Sequence, residues 1–442
     1  MKKLLALLLA LVMVLSFAAC GEGDEEEETS RRRKKDTETT SDTTEGTEPE
    51  ETEDDKEEDD ENKDSKASPY TIFDEMDVTV LDTGDLTLSF GELEDDNWGN
   101  TVCKVEGENY SGGTLNVTLP AVAVNGMMTN DYFFLELEED SDDSTEFTIY
   151  DMEDPDDVTR LSMLIRVTDE DYESEYHLIE IYPQGKKAHK ENRPDRDGND
   201  VLLDKKGLYV VTQDLIYSDN WDPQLRYLAF NDADEVFSLS LDPIAINGFG
   251  VNDYHGNYIL PDTYLDHGVD LYEHGDLCLL GMEPAVTSLT MNVSVDNLDY
   301  ETVTEDQITI YPEGKKNEQI FTYTPEADDV VILETEDFKL MQVSYIVDEW
   351  NDSIVTFVVE NKSGKTLSFN SDDTKINGKE VDFLFFYCDA KDGRDTFTNC
   401  YLYEASTQEA NISKITSMEF TLEVWDDDYE DIYEGTVKFD VK

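Results

Sequence analysis

The stretch that decides the fold runs from Asp96-Asn97-Trp98 to Val124-Asn125-Gly126, and the chain repeats it twice. The second copy runs from Asp219-Asn220-Trp221 to Ile246-Asn247-Gly248, and the third from Asp348-Glu349-Trp350 to Ile376-Asn377-Gly378. The tryptophan and the asparagine are 27, 26 and 27 residues apart, and successive tryptophans are 123 and 129 residues apart. This period in a chain of 442 residues predicts three copies of one module.

Each copy also contains short segments in which apolar and polar residues alternate. Residues 289–295 and 418–424 alternate without a lapse, and residues 161–167 alternate with one. A period of two places one face on a core and the other in water, which antiparallel sheets allow. The Asn-Gly pairs predict type I′ hairpins, because that turn needs positive φ at both central residues. Eight or nine such strands in about 125 residues predict an all-β chain of three tandem antiparallel, Ig-like β-sandwich modules.

The N-terminus has the features of a secretory signal. Met1-Lys2-Lys3 is basic, residues 4–19 are apolar, and the run ends at Phe17-Ala18-Ala19-Cys20-Gly21. This end resembles a bacterial lipoprotein cleavage box, which implies that Cys20 becomes the lipidated first residue of the mature chain. The alternative is ordinary cleavage after Ala18 or Ala19, which would give a free secreted protein.

Residues 21–68 differ from the rest of the chain in composition. Residues 21–68 are almost without apolar side chains, and such a segment is expected to stay disordered. Residues 69–442 hold 84 acidic and 23 basic side chains, a net charge of −61, which argues against nucleic acid as a partner. The predicted organisation is a signal peptide (1–20), a disordered acidic linker (21–68) and three modules (69–190, 191–318 and 319–442).

With its signal box and three Trp-loop and Asn-Gly copies, the chain resembles a group of surface lipoproteins from clostridia-like bacteria. These proteins carry tandem modules with a Trp loop and a Val-Asn-Gly hairpin. The resemblance implies location at the extracellular face of the cell membrane, held by a lipid anchor. It implies no known activity.

The tryptophans are the first candidates for a contact surface. A Trp in every copy suggests a shared structural role, so Trp98, Trp221 and Trp350 are predicted to be buried over one end of each sandwich. The alternative is an exposed ring that stacks on a sugar or a peptide. Trp425 occurs only in the third copy, falls on the outward parity of its strand and precedes Asp426-Asp427-Asp428-Tyr429. We therefore take Trp425 and Tyr429, together with His255, His267 and His274 of the second copy, as candidate contact residues.

Histidines and acidic runs are the candidates for metal binding. Three of the five histidines, His255, His267 and His274, fall in the second copy beside carboxylates, but their spacing matches no zinc pattern. A solvated loop cluster is the competing interpretation. Calcium is the better metal candidate, because it prefers several carboxylate oxygens, which Asp426, Asp427 and Asp428 offer. No acidic run fits an EF-hand loop, so the prediction is that no cofactor is required.

The sequence lacks the common catalytic motifs, and it leaves the pairing of two cysteines undecided. The sequence has no nucleophile elbow, zinc-protease helix or dinucleotide fingerprint, so we predict that the protein is not an enzyme. Cys388 and Cys400 flank a turn-like Lys391-Asp392-Gly393, which would place them on facing strands. The sequence permits a disulfide between them but does not require one.

The sequence thus predicts a membrane-anchored extracellular protein with a binding or spacing role. The expected partners are the membrane, through the anchor, and a cell-wall or host glycan or protein. The alternatives are a transporter substrate-binding lipoprotein and a carbohydrate-active accessory protein.

Overall fold

The alternating segments form 28 β-strands in the described part of the chain. The computed structural model describes residues 69–442 apart from 97, 151, 191, 218–222, 272–276, 278–284, 348–350, 382–385, 404–411 and 413. The predictions for residues 1–20 and 21–68 lie outside that part. Among the described residues, no helix has the length and apolar character needed to cross a bilayer. The prediction of an all-β chain is confirmed.

Among the described residues, nine strands recur in the same order in each copy, and the first copy has one further strand, β1, at its start. The first copy comprises β1 Thr71–Phe73, β2 Val78–Asp82, β3 Leu86–Asp95, β4 Thr101–Asn109, β5 Leu115–Val124, β6 Met127–Thr129, β7 Phe134–Leu137, β8 Asp142–Ile149, β9 Leu161–Thr168 and β10 Ser174–Ile181. The second comprises β11 Val201–Lys205, β12 Leu208–Tyr217, β13 Pro223–Asn231, β14 Phe237–Ile246, β15 Phe249–Gly250, β16 Gly256–Ile259, β17 Thr263–Asp270, β18 Leu289–Asp296 and β19 Thr302–Ile310. The third comprises β20 Val330–Glu334, β21 Phe338–Val347, β22 Ser353–Asn361, β23 Leu367–Ile376, β24 Lys379–Glu380, β25 Tyr387–Ala390, β26 Thr396–Leu402, β27 Ser417–Asp426 and β28 Asp431–Asp440. Within the described ranges, three short 3-10 helices connect strands, at Pro155–Asp157, Lys315–Asn317 and Lys391–Gly393.

Each copy folds into two antiparallel layers. In the first copy, one layer has the strand order β2-β3-β4-β8, and the other is built on β10-β9-β5. The second and third copies repeat this with β11-β12-β13-β17 and β19-β18-β14, and with β20-β21-β22-β26 and β28-β27-β23. The alternating faces meet between the layers, where the first module buries Phe90, Phe133 and Phe147 in edge-to-face contact. The third module buries Phe357, Phe386, Phe420 and Phe439, of which Phe357 and Phe386 stack and the other contacts are edge-to-face.

The Asn-Gly pairs form the predicted hairpins, between β5 and β6, β14 and β15, and β23 and β24. Asn125, Asn247 and Asn377 have φ of 53°, 51° and 52°, and the glycines that follow have φ of 89°, 83° and 79°. Each asparagine also holds the start of a distant strand. Its Oδ1 accepts hydrogen bonds from the backbone N–H and the hydroxyl of one threonine, Thr159, Thr287 or Thr416. The same residue therefore sets both the turn and the packing of the next strand.

A second set of asparagines ties the two layers together. Asn109, Asn231 and Asn361 end corresponding strands and are 1%, 0% and 6% exposed. Their Nδ2 atoms donate to the backbone carbonyls of Leu137, Ile259 and Ala390, at 3.0, 2.9 and 2.7 Å. A buried side-chain amide must form hydrogen bonds, and these bonds explain why asparagine stands at this position in all three copies.

Neighbouring modules share sheets, which the sequence did not predict. β6 of the first module pairs in parallel with β17 of the second, and Tyr264 N–H donates to the Gly126 carbonyl at 2.9 Å. β15 of the second module pairs in parallel with β26 of the third, and Gly250 N–H donates to the Asp395 carbonyl at 2.7 Å. The result is one sheet of ten strands and one of nine, each running through a module junction.

Side chains seal both junctions. At the first, the Arg160 and Glu180 side chains are 5% and 4% exposed and form an ion pair at 2.7 Å. Tyr182 donates to the other oxygen of Glu180 at 2.9 Å, and Tyr70 donates across the junction to the Pro261 carbonyl at 2.8 Å. At the second junction the rings of Phe249 and Phe397 stack with centroids 6.2 Å apart. Apolar residues of the first and third modules complete the core of the second.

Candidate functional site

A five-residue turn recurs at corresponding hairpins of all three modules, between β9 and β10, β18 and β19, and β27 and β28. Its sequences are Asp-Glu-Asp-Tyr-Glu at 169–173, Asn-Leu-Asp-Tyr-Glu at 297–301 and Asp-Asp-Asp-Tyr-Glu at 426–430. We call these the tyrosine turns. Sequence analysis had singled out only the third of them, through Asp426, Asp427, Asp428 and Tyr429.

The first residue of each tyrosine turn fixes the backbone. One side-chain oxygen of Asp169, Asn297 or Asp426 accepts the backbone N–H groups of the third and fifth turn residues, at 2.9 to 3.0 Å. Short polar side chains favour such local bonds to the backbone. The geometry of the three turns is therefore the same.

The tyrosine of each turn has a backbone conformation that tyrosine rarely adopts. Tyr172, Tyr300 and Tyr429 have φ of 64°, 60° and 58°, in the left-handed region. Hairpin loops normally place glycine or asparagine there, and a larger L-residue costs about 1–2 kcal/mol. The three side chains are nevertheless 89%, 74% and 85% exposed. Burial of the rings therefore offsets little of this conformational cost. Backbone strain of this kind is typical of functional sites.

The surroundings of the three rings differ. Burial raises the pKa of Tyr176 in the first module, and the nearby hydroxyl of Tyr300 in the second module adds to the effect. Beside the first turn lies an open groove of about 610 Å³, lined mainly by acidic and small polar residues and including Asp85 and His177. The tyrosine turns thus combine an aromatic ring with neighbouring carboxylates.

The acidic cluster of the third turn is already paired with a cation. Asp426, Asp427 and Asp428 bring carboxylate oxygens within 4.8 Å of one another. Lys365 Nζ lies 2.6 Å from Asp426 and 3.3 Å from Asp428, and its hydrogen bond holds the pKa of Asp426 below the usual value. Asp426 is 2% exposed and also fixes the turn. Calcium binding here stays a prediction, and it would have to compete with the Lys365 ammonium group.

Two of the three predicted histidines come together in the second module. The Nε2 atom of His255 lies 2.9 Å from the Asp270 carbonyl oxygen, and the His267 ring packs edge-on to Tyr227 at 6.2 Å. Burial lowers the pKa of His267, and the charges of His255 and Arg226 add to the effect. His274 lies outside the described residues. The two described rings thus have structural contacts of their own.

The prediction of buried tryptophans is wrong for Trp98, which is 90% exposed. Asp96 Oδ1 accepts the N–H groups of Trp98 and Asn100, so the loop is closed by its own backbone and leaves the ring in solvent. Trp221 and Trp350 lie outside the described residues. Trp425 is half-buried between two buried neighbours, as its outward parity predicted. Tyr429 is exposed, whereas Cys388 and Cys400 are buried and form no disulfide with each other.

Comparisons with known proteins give no relative that assigns a role. No family model and no curated protein matches the chain. Among solved structures, a bacterial ice-binding adhesin is similar over 78% of this chain and 90% of its own, at 10% identity and a TM-score of 0.15. Red sea bream transglutaminase (51% and 31%, TM-score 0.16) and the YadV chaperone (51% and 100%, TM-score 0.17) are similar at 10% identity. Scores this low carry no functional argument, and the resemblance to clostridial lipoproteins stays a prediction.

Proposed function

We propose that the chain is a lipid-anchored surface protein that binds a repetitive ligand through its tyrosine turns. Cys20 would carry the anchor, and the modules would display the turns outside the membrane without catalysing a reaction. The observation that supports binding is a strained, exposed tyrosine at the same position of all three modules.

The chemistry of the turns favours a neutral polymer such as a cell-wall or host glycan. A tyrosine ring stacks on the apolar face of a sugar and keeps its hydroxyl in water. The adjoining carboxylates accept hydrogen bonds from sugar hydroxyl groups. The net charge of −61 on residues 69–442 disfavours anionic polymers. Three weak sites on one chain gain affinity together when the ligand repeats.

The decisive variant replaces Tyr172, Tyr300 and Tyr429 by glycine. Glycine adopts the left-handed conformation without steric cost, so the melting temperature should stay unchanged or rise slightly. Binding to a panel of insoluble cell-wall and glycan preparations should fall by about 10²-fold or more, since all three contacts are lost together. Tyr132→Ala is the matched control, because Tyr132 is 72% exposed and lies in no tyrosine turn.

The same experiment separates binding from a pure spacer role. A spacer predicts that the triple glycine variant and the wild type sediment equally with every preparation, and that result would overturn the binding proposal. Turnover of a glycan, peptide or ester that is abolished by mutating one residue cluster would contradict the non-enzymatic part. It would favour the carbohydrate-active alternative.

The anchor needs its own test. We expect the wild-type chain, expressed in a bacterium with lipoprotein processing, to incorporate an alkyne-labelled fatty acid and to fractionate with membranes. Cys20→Ser should lose the label and appear in the medium. Equal labelling of both chains would contradict anchoring at Cys20. A high-affinity small solute in a single cleft would instead support the transporter alternative.

A further inference from the structure

The junctions between modules use one type of contact twice. We call β6, β15 and β24, each following an Asn-Gly turn, the donor strands, and we call β8, β17 and β26 the acceptor strands. The first two donors pair in parallel with the acceptor of the next module. In the described part of the chain, β24 and β8 are terminal strands of their own sheets. Among the described strands, β24 as a donor and β8 as an acceptor therefore have no counterpart from another module.

The register at the two junctions is identical. Each acceptor strand follows a residue with positive φ, namely Asp140, Asp262 and Gly393. At the first junction Tyr264, two residues after Asp262, faces Met127, the first residue of its donor strand. At the second junction Thr396, three residues after Gly393, faces Gly250, the second residue of its donor. Applied to the two ends, this register places Lys379 opposite Asp142 and Glu380 opposite Asp143.

We propose that the third module of one copy pairs head to tail with the first module of a second copy, through β24 and β8. Such a contact joins two different surfaces, both of which every copy carries. In the β23–β24 hairpin Ile376 faces Lys379 next to the turn, so Glu380, one pair further on, directs its N–H away from β23. Glu380 N–H would donate to the Asp142 carbonyl, as Gly250 N–H does to Asp395 at 2.7 Å.

The charges at this contact are mixed and set its strength. Lys379 opposite Asp142 is attractive, whereas Glu380 opposite Asp143 is repulsive, and all four side chains are exposed. The overall negative charge opposes association at long range, but at physiological ionic strength it is screened beyond about 8 Å. Without the covalent linker that raises the local concentration at the internal junctions, we expect a dissociation constant of roughly 10 µM to 1 mM.

Cross-linking tests the geometry directly. Isotope-labelled and unlabelled chains are mixed at physiological salt and treated with a carbodiimide, which joins an amine to a carboxylate only when they touch. We expect an inter-chain peptide pair that joins Lys379 to Asp142 or Asp143. If inter-chain cross-links map elsewhere, or if the chain stays monomeric at millimolar concentration, the proposal is overturned.

Charge variants test the register by sedimentation equilibrium. Lys379→Glu should weaken association roughly three- to tenfold, and adding Asp142→Lys to it should restore association. Glu380→Lys should strengthen association by a similar factor. Asp204→Lys, at an exposed position of β11, controls for the change in net charge. Equal responses of Glu380→Lys and Asp204→Lys would show that net charge alone governs association and would refute the pairing.

Discussion

The buried ion pair at the first module junction gives the sharpest stability prediction. Arg160→Met removes the only cation within hydrogen-bond distance of Glu180 among the described residues, and Glu180 stays buried with the hydroxyls of Tyr182 and Ser162 as its donors. Breaking a buried pair from one side costs about 3–5 kcal/mol, because an uncompensated charge remains in a poorly solvated place. Burial by itself lowers the pKa of Arg160, but Glu180, Tyr182 and Asp262 outweigh it, so the pKa is raised. The Arg160 guanidinium is therefore charged at neutral pH.

The assay must read the first module separately, because a chain of three modules need not unfold in one step. Native-state hydrogen exchange of peptides from β9 and β10 does this, and a loss of about 3–5 kcal/mol corresponds to exchange that is roughly 10²- to 5 × 10³-fold faster. The double variant Arg160→Met, Glu180→Leu should recover most of the loss, since an apolar pair of similar volume has no charge to desolvate. A single variant within about 1 kcal/mol of the wild type would refute the reasoning. So would a double variant no more stable than the single one.

Four further predictions follow from described contacts. Asn247→Ala should cost roughly 2–3 kcal/mol in denaturant unfolding, because the backbone N–H groups of Thr287 and Ser288 that its Oδ1 accepts are left unpaired, and a cost under about 0.5 kcal/mol would contradict this. The pKa of Asp426 is lowered by Lys365, so this ion pair stabilises the fold above the ordinary aspartate pKa and the effect is lost as the pH falls through the lowered one. The melting-temperature difference between wild type and Lys365→Met should therefore shrink from about pH 7 to about pH 2, and an unchanged difference would count against the pair. Burial raises the pKa of Cys103 and of Cys400 to about 12, so neither thiol should react with a thiol reagent until the chain is denatured, and prompt labelling of either would contradict the fold. Sodium chloride should raise the melting temperature by screening the acids, and calcium at equal ionic strength should add nothing, unless it displaces Lys365.

The sequence predicted the features that depend on local chemistry. Alternation predicted the strands, and Asn-Gly predicted the hairpins, because only a few residue types tolerate positive φ at both turn positions. Asn109, Asn231 and Asn361 end corresponding strands of the three modules. Their cross-layer hydrogen bonds were not predicted, because the carbonyl that each one meets lies 28 or 29 residues further along the chain.

The features that the sequence did not predict depend on tertiary context or run against local preference. Recurrence alone suggested that Trp98 is buried, but recurrence does not distinguish a core residue from a displayed one. The tyrosine turns were missed because tyrosine is a poor residue for the left-handed region. A signal was available: the pattern Asp or Asn, any residue, Asp-Tyr-Glu, directly after each alternating strand. Sheet sharing depends on the edges of two modules and leaves no pattern within either one.

The shared donor and acceptor strands also bear on how such a chain changes in evolution. Each module carries both halves of the junction, so duplicating one whole module in the gene also duplicates a compatible contact. An array of this design can gain or lose a unit without a new interface having to arise. Side chains that take no part in the backbone pairing can then diversify and make each junction distinct. Arg160 is an example, because the corresponding residues in the other copies are Ser288 and Ser417.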